Sequence, residues 1–564
     1  MKFEEFQYNR PEVTAFSEAF EEQLRLFAAA DTAELQNDIL EVINNMRKEF
    51  LSMYNICRIR HTINTKDEFY EKENSFFDAQ NPNFDGLNTK FYKILLSSPF
   101  RASLEEKWGT QLFVIAELSL KTFEPIILKD LQKENKLSSD YVKLKASANI
   151  TFQDKDYNLS SLYPLEISSD RATRKAASEA KWAFYAKNAA QTEEIFDQQV
   201  KLRHGIAKKL GYKNFVELGY ARMLRSDYTP AMVANFRKQV KDYIVPITQE
   251  LYERQRKRLN LDKLKYYDED FRFASGNPAP KGRPEWIIDN AGVMYQELSK
   301  ETSEFFNFMR DNNLMDLVNK EGKATGGYCT FIGKYKAPYI FSNFNGTSGD
   351  IDVLTHEAGH AFQVFSSKEI GLNEYNWPTY EACEIHSMSM EFFTWPWMDL
   401  FFKEDTEKYK FSHLAGALLF LPYGVAIDEF QHFVYENPMV SPTERNHMWR
   451  EIEKKYLPQR DYDGNQFLEQ GGFWQRQSHV FTTPFYYIDY TLAQICAFQF
   501  WKKDQENHPA AWSDYLTLCK AGGSKSFLEL VKLANLTSPF KDGCVESVVG
   551  KIKAWLDQVD DKQF

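Results

Sequence analysis

Apolar residues recur at three- and four-residue spacing along most of this chain of 564 residues, with Glu, Lys, Gln and Ala between them. That spacing places the apolar side chains on one face of a helix. The predicted helices cover residues 11–60, 100–135, 170–225 and 229–260 and nearly all of the chain after residue 350. The fold class is therefore predicted to be mostly α-helical.

Three segments depart from the helical pattern. Within residues 136–165, the stretches 141–145 and 148–152 alternate between polar and apolar residues and predict a pair of short strands. The segment 275–284 is rich in Pro and Gly and predicts a surface loop. Residues 326–345 combine β-branched and aromatic residues with flanking Gly and Pro, which predicts a small strand pair or sheet.

The first strand pair marks a division of the chain into two regions. Residues 1–165 form an N-terminal helical region that ends with this pair, and residues 166–564 form the second region. No long linker, internal repeat or heptad pattern lies between them. We therefore expect the two regions to pack as one body.

Composition and charge limit the function classes. The chain carries 69 Lys and Arg against 80 Asp and Glu, a net charge of −11 without a basic run, so nucleic acid is not an expected partner. No uninterrupted apolar stretch is long enough to span a bilayer, and the first residues lack the order of a signal peptide. The six cysteines are scattered, without a Cys-x-x-Cys pair. These features predict a cytoplasmic protein that does not bind membranes.

The strongest chemical signal is the pentapeptide at residues 356–360, His-Glu-Ala-Gly-His. On a helix, His356 and His360 lie one turn apart on the same face, so their imidazoles can converge on one metal ion. Glu357 follows the first histidine and can reach a water bound to that ion. This pattern is typical of zinc peptidases, in which the glutamate is the general base.

The surroundings of the pentapeptide favour a metal site over an ordinary solvated helix face with two histidines. The segment is apolar on nearly every side, which is typical of a buried helix. Buried histidines and a buried glutamate need polar partners, and a metal ion supplies one. Gly359 costs the helix about 1 kcal/mol relative to Ala, which indicates that another backbone packs closely against it.

A catalytic zinc site needs a third protein ligand and an open position. One subclass has a histidine six residues after the second, but that position is Ser366 here, and the expected intervening glycine is Gln363. The remaining downstream candidates are Glu369, Glu374, Glu381 and Glu384.

Among these glutamates, the first two lie close to the motif in a connecting segment. Pro378 can open a second helix, on which Glu384, Ser387 and Glu391 share one face. We therefore favour Glu384 as the ligand, with Ser387 and Glu391 orienting the ligands, while Glu381 remains the alternative.

Residues 356–360 followed by 384–391 resemble the thimet oligopeptidase and oligoendopeptidase F family of zinc peptidases, most closely the bacterial oligoendopeptidase F branch. Further similar segments are 428–438, 484–490 and 210–215, so the resemblance extends from about residue 170 to about residue 545. It implies two helical halves around a deep substrate channel, with a small β-sheet beside the zinc-binding helices. Such a channel admits short unfolded peptides.

The resemblance also implies roles for individual residues. His356, His360 and Glu384 would bind one Zn²⁺ ion, and Glu357 would be the general base. His479, Tyr487 and Tyr490 are the best matches to the residues that stabilise the oxyanion. Tyr486 remains an alternative, because the spacing between the histidine and the tyrosines varies among branches.

The sequence thus predicts a zinc metalloendopeptidase that hydrolyses internal bonds of short oligopeptides. One alternative is a zinc exopeptidase on a similar scaffold, which would need a residue that captures a chain terminus. A second is a non-catalytic, zinc-stabilised peptide-binding protein. The presence of Glu357 and the lack of a fourth Cys or His ligand at suitable spacing disfavour the latter.

Overall fold

Helices dominate the computed structural model, which describes residues 1–320, 322–324 and 326–564. The N-terminal helices are α1 (Val13–Ala29), α2 (Ala33–Ile63), α3 (Glu68–Leu96), α4 (Arg101–Trp108), α5 (Gln111–Thr122) and α6 (Leu128–Ala146). Helices α1, α2, α3 and α5 enclose their own apolar core, which includes Phe20, Leu40 and Leu112. The helices predicted over residues 11–60 and 100–135 are therefore present in large part.

A short antiparallel hairpin follows, formed by β1 (Ile150–Phe152) and β2 (Lys155–Tyr157). The predicted strand at 148–152 is therefore present in part, but the predicted strand at 141–145 is wrong. That stretch is the last turn of α6, where Tyr141 is buried and Leu144 packs beside it. Tyr141 and Leu144 are three residues apart and so share one face of the helix. The same stretch also alternates in sequence, which is why the pattern alone predicts a strand.

Eight helices follow the hairpin. They are α7 (Tyr163–Glu166), α8 (Arg171–Lys187), α9 (Ala189–Lys209), α10 (Phe215–Arg222), α11 (Pro230–Gln239), α12 (Val245–Arg258), α13 (Pro284–Leu298) and α14 (Lys300–Asp311). A π-helical segment, Val240–Ile244, joins α11 to α12. The predicted loop at 275–284 lies between α12 and α13 and is non-helical as far as Arg283.

A three-stranded sheet follows these helices. Its strands are β3 (Met315–Val318), β4 (Tyr328–Ile332) and β5 (Ala337–Phe344). Strand β5 lies in the centre, parallel to β3 and antiparallel to β4, with Tyr328 paired to Phe341. The predicted small sheet at 326–345 is confirmed, and β3 is an additional strand that the pattern did not reveal.

Ten further helices complete the chain, as the helical pattern after residue 350 predicts. They are α15 (Gly349–Ser367), α16 (Tyr380–Phe393), α17 (Asp399–Phe402), α18 (Thr406–Glu436), α19 (Pro442–Tyr456), α20 (Gln466–Glu469), α21 (Ser478–Thr482), α22 (Tyr487–Ala521), α23 (Phe527–Leu533) and α24 (Cys544–Gln558). Helices α15, α16, α18 and α22 supply much of the main apolar core.

One helical stretch in the described part of the chain, Asp399–Glu436, is long and apolar enough to cross a membrane by length and composition alone. However, 67% of its most apolar 18-residue part is buried inside the protein. A core helix passes the same test, so this single stretch is weak support for a membrane span.

The segment between α15 and α16 packs against the N-terminal helices. Tyr375 inserts into the N-terminal core, where its hydroxyl accepts a hydrogen bond from the Leu112 backbone N–H and donates one to the Trp108 carbonyl, both at 2.8 Å. Beside it, Arg47 on α2 forms a buried ion pair with Glu374 at 2.6 Å. The N-terminal region therefore packs directly against the connection between α15 and α16.

Candidate metal centre and active site

The pentapeptide of residues 356–360 lies in the middle of α15. The helix begins after a turn in which the Asp350 carboxylate accepts the backbone N–H groups of Asn345 and Gly346, both at 2.8 Å. The rings of His356 and His360 lie on one face with their centroids 5.1 Å apart. The helix thus presents both imidazoles toward α16.

Gly359 allows α15 to contact α16 backbone to backbone. A Cβ atom at this position would lie 2.6 Å from both the carbonyl oxygen of His386 and the Cα of Ser387, which is shorter than real Cβ contacts. The expectation that another backbone packs against Gly359 is confirmed. This close approach brings the histidines of α15 beside Glu384 on α16.

Two histidines and one glutamate converge between the helices. Glu384 Oε2 lies 3.2 Å from His356 Nε2 and 3.5 Å from His360 Nε2, and the potential ligand atoms lie within 4.8 Å of one another. Over residues 1–320, 322–324 and 326–564, no other three acidic, histidine or cysteine groups meet this criterion. The arrangement can hold one metal ion.

The other candidate glutamates lie in different surroundings. Glu374 pairs with Arg47, and Glu369 pairs with Lys336 on the surface. Glu381 is fully buried without a hydrogen-bond partner, and burial together with the nearby Asp489 raises its pKa. The geometry therefore favours Glu384 over the alternative that the sequence left open.

Side chains of α16 and α18 hold the candidate ligands in place. Ser387 donates a hydrogen bond to Glu384 Oε2 at 2.9 Å, and Glu391 contacts His356 Nδ1 at 2.7 Å and His413 Nε2 at 2.8 Å. The indole N–H of Trp395 donates to His413 Nδ1 at 3.2 Å. In the neutral state, His413 therefore carries its proton on Nε2 and donates it to Glu391.

The same carboxylate sets the tautomer of the first candidate ligand. His356 donates its Nδ1–H to Glu391, which leaves Nε2 free to face Glu384. Burial opposes the charge on Glu391, but the hydrogen bonds from the two histidines outweigh it and lower the pKa of that carboxyl. The sequence did not reveal His413, because it lies on α18 and carries no local motif.

Glu357 projects from α15 toward the sheet. It is 8% exposed, and burial raises the pKa of its carboxyl. A Cβ atom on Gly327, next to β4, would stand 3.6 Å from Glu357 Oε1, which is an ordinary van der Waals distance. Glu357 thus lies beside the edge strand of the sheet.

His479 on α21 lies among three tyrosines at the start of α22. Its ring centroid is 5.6 Å from that of Tyr486, 5.1 Å from Tyr487 and 5.7 Å from Tyr490. Tyr486 donates its hydroxyl to Glu384 Oε1 at 2.6 Å, so it is the tyrosine that contacts the candidate ligand set. The structure therefore brings together His479 and all three tyrosines, including Tyr486.

The turn that carries these tyrosines is held by residues from distant helices. Phe485 is buried with a left-handed φ of 68°. Its N–H donates to the side chain of Gln431 at 2.8 Å, and its carbonyl accepts from Arg225 at 2.6 Å. The same Arg225 nitrogen donates to Asp489 at 2.6 Å. Buried side chains thus fix the direction in which Tyr486 leaves the turn.

A cavity of about 710 Å³ opens beside this site. His479, Tyr487, Tyr490 and Glu391 line one wall, and the turn before α15 lines another. Further wall residues come from the loop that follows α12 and from α18. The volume is that of a site for a small organic molecule or a few peptide residues.

The fold is helical and encloses a cavity, and the helix with the His-Glu-x-x-His motif packs against a second helix that carries a glutamate. These features are typical of a helical peptidase. The family described as "Peptidase family M3" matches residues 165–275 and 293–549, and its N-terminal domain matches residues 3–123. The chain belongs to peptidase family M3.

Known relatives support the oligoendopeptidase F branch of this family. The chain is 24% identical over 455 residues to an oligoendopeptidase F homolog from Borreliella burgdorferi, which covers 76% of this chain and 74% of that protein. It is similar to PZ peptidase A, solved with an inhibitor, at 62% identity, a TM-score of 0.96 and full coverage of both chains. A Bacillus anthracis protein provisionally named oligoendopeptidase F gives 57% identity, a TM-score of 0.92 and coverage of 100% and 99%.

These comparisons confirm the resemblance and the fold class drawn from the sequence. A more distant structure, oligoendopeptidase F from Enterococcus faecium, shares the fold at a TM-score of 0.65 and 15% identity, with coverage of 98% and 99%. The chain is thus a peptidase with the mostly helical fold of this family and two small sheets.

Proposed function

We propose that this peptidase is a zinc-dependent endopeptidase that hydrolyses internal bonds of short, unfolded oligopeptides inside the cavity. The observation that carries the proposal is the convergence of His356, His360 and Glu384, with Glu357 adjacent on α15. The cavity beside this cluster supports a peptide-sized substrate.

The donor set fits zinc. Nitrogen and oxygen ligands at 2.0–2.1 Å from a tetrahedral zinc ion lie about 3.3 Å from one another. The separations of 3.2 Å and 3.5 Å from Glu384 Oε2 to the two imidazole nitrogens lie close to that value. The second oxygen of Glu384 is occupied by Tyr486, so one carboxylate oxygen stays directed at the histidines.

The proposed reaction divides its steps among residues of the site. Held by His356, His360 and Glu384, a zinc ion would supply Lewis-acid chemistry, lowering the pKa of a water toward about 7 and polarising the scissile carbonyl. Glu357 accepts the proton of the attacking water and passes it to the leaving amine. The raised pKa of this buried carboxyl suits a group that both takes and returns a proton.

His479 and the tyrosine hydroxyls are the proposed donors to the developing oxyanion. Each such donor typically contributes about 3–4 kcal/mol to the transition state. Among the three tyrosines, we favour Tyr490 as the donor to the oxyanion. Its ring lines the cavity and lies 4.9 Å from the ring of Tyr486, which contacts the candidate ligand Glu384. Tyr487 lines the cavity too, while Tyr486 contacts Glu384.

An extended peptide has a binding surface next to Glu357. Strand β4 is at the edge of its sheet and contacts α15. Backbone groups at a sheet edge can pair with an added strand. We propose that this edge aligns the substrate so that an internal bond lies beside the metal ligands.

We further propose a cytoplasmic location without nucleic-acid or membrane partners. All six cysteines are free thiols, the state that a reducing compartment maintains. Fractionation of cells followed by immunodetection tests this location, and recovery with the membrane or secreted fraction would contradict it.

Digestion of a mixed peptide library tests the activity. Metal-loaded protein should cleave internal bonds, chelated protein should not, and added zinc should restore cleavage. Glu357→Gln should retain zinc but lose nearly all turnover. Cleavage only next to a free terminus would favour the exopeptidase alternative, while binding without cleavage in the metal-loaded protein would favour the peptide-binding alternative.

A further inference from the structure

The side chain of Gln477 lies between His479 and Tyr423. Its Nε2 is 2.7 Å from His479 Nδ1, and its Oε1 is 3.1 Å from the hydroxyl of Tyr423. Gln477 directly precedes α21, the short helix that carries His479, whereas Tyr423 belongs to α18. The amide therefore links the imidazole to α18.

The environment of Tyr423 determines which end of the Gln477 amide, the oxygen or the nitrogen, faces His479. Tyr423 is 6% exposed, and its phenol oxygen faces the Arg476 guanidinium, which can only donate. The phenol hydrogen then needs an acceptor, and in the described part of the chain Gln477 Oε1 is the hydrogen-bond partner. With its oxygen turned to Tyr423, Gln477 presents its NH₂ group to His479.

We propose that Gln477 is a positioning residue that holds the neutral His479 ring in the tautomer protonated on Nε2. An Nδ1 atom that accepts a hydrogen bond carries no proton, so the single proton of the neutral ring lies on Nε2. That N–H is the group His479 needs in order to donate to an oxyanion. The inference rests on the proposed peptidase function, and it adds the residue that keeps the His479 Nε2–H available as a hydrogen-bond donor.

The surroundings of His479 keep the ring neutral. Burial lowers the pKa of His479 to about 4, and Lys145 on α6 lowers it further, while Glu384 on α16 opposes the shift. The remaining titratable groups against the ring are the phenols of Tyr486, Tyr487 and Tyr490. At neutral pH the choice is therefore between two neutral tautomers, and only one presents a hydrogen to the cavity.

Gln477→Glu is the most direct test, because it preserves shape and reverses the hydrogen bond. A carboxylate can only accept, so it draws the proton to Nδ1 and leaves a lone pair on Nε2. Loss of one oxyanion donor predicts a fall in kcat of about 100-fold with KM nearly unchanged. The loss should become smaller as the pH falls, because the new carboxylate raises the pKa of His479 and an imidazolium again carries an Nε2–H.

Two further variants separate this effect from simpler ones. Gln477→Met removes the amide without adding an acceptor, so we expect a smaller loss than in Gln477→Glu. Thr482→Glu adds a negative charge at an exposed position of the same short helix and should leave kcat unchanged. A loss in Thr482→Glu as large as in Gln477→Glu would attribute the effect to charge, and equal losses in Gln477→Glu and Gln477→Met would attribute it to removal of the amide. Either result overturns the proposal.

The tautomer itself can be read without an activity assay. Nitrogen-15 spectra of metal-loaded, histidine-labelled protein distinguish protonated from unprotonated ring nitrogens, and His479→Gln identifies the signals. We expect an unprotonated Nδ1 in the wild type and a protonated Nδ1 in Gln477→Glu. A protonated Nδ1 in the wild type, or full kcat in Gln477→Glu, overturns the proposal. If the wild type cleaves no peptide, the proposed function fails while these spectra still decide the role of Gln477.

Discussion

Replacement of Gly359 by Ala tests whether the contact between α15 and α16 sets the geometry of the metal centre. The added Cβ would lie 2.6 Å from backbone atoms of His386 and Ser387, whereas ordinary van der Waals contact begins at 3.4 Å. Backbone atoms cannot rotate away as a side chain can. The two helices must therefore move apart by about 0.8 Å, the difference between these two distances.

Two opposing terms determine the change in stability of Gly359→Ala. Alanine favours the helix by about 1 kcal/mol relative to glycine. Overpacking of a closely packed contact costs about 1–3 kcal/mol. We therefore expect a net loss of up to about 2 kcal/mol in the free energy of unfolding, measured by urea denaturation of the chelated protein.

The metal affinity of this variant is the more diagnostic measurement. Both histidines lie on α15 and Glu384 lies on α16, so a displacement of the helices changes every distance between the ligand sets. Metal sites tolerate deviations of about 0.2 Å in ligand distance, which is less than the expected displacement. We expect zinc affinity, measured by competition with a chromogenic chelator, to fall at least about tenfold.

Gly550→Ala is the matched control. Gly550 lies inside α24, and a Cβ atom there would meet no atom within 4 Å. This variant should be up to about 1 kcal/mol more stable, with unchanged zinc affinity. If Gly359→Ala behaved like Gly550→Ala in both assays, the close contact would not position the ligands and the reasoning would be refuted.

Further predictions concern the tyrosines and the acid stability of the chain. Tyr486→Phe removes the hydrogen bond to Glu384 and should weaken zinc binding. Tyr490→Phe should lower kcat with unchanged zinc affinity. Equal zinc affinities in the two variants would contradict the separate roles of the two tyrosines. Burial lowers the pKa of His432 to about 4 from about 6.5 in the unfolded chain. The unfolded state therefore takes up the proton first as the pH falls from 6.5 to 4, and up to about 3 kcal/mol of stability is lost over that window. His432→Gln, measured by urea denaturation across this range, should lose less stability than the wild type, and an equal pH dependence would exclude the histidine as the cause.

The parts of the site that depend on one helix could be predicted from the sequence. His356 and His360 are four residues apart, and Glu384, Ser387 and Glu391 share a face at spacings of three, four and seven residues. A helix fixes those relations whatever the rest of the fold does. The helical pattern and the small sheet were predictable for the same reason, since each depends on local periodicity.

Relations between distant segments could not be predicted in this way. His413 on α18 contacts Glu391 on α16, and Gln477 accepts a hydrogen bond from Tyr423 on α18; neither residue lies in a motif. The stretch 141–145 alternates in sequence and so predicts a strand, whereas Tyr141 and Leu144, three residues apart, share a face only on a helix. In each case the outcome depends on which other helix or strand packs against the segment. Local sequence patterns do not show that.

The same limit explains why the tyrosines were hard to assign. Tyr486 and Tyr487 are adjacent, so their roles depend on the direction in which the chain leaves residue 485. A left-handed conformation at a residue such as Phe485 costs about 1–3 kcal/mol and persists only where its surroundings enforce it. Here Gln431 and Arg225 bind both backbone groups of Phe485, and Tyr486 leaves the turn toward the candidate ligand Glu384. The direction in which Tyr486 leaves the turn thus depends on a buried arginine 260 residues away in the chain.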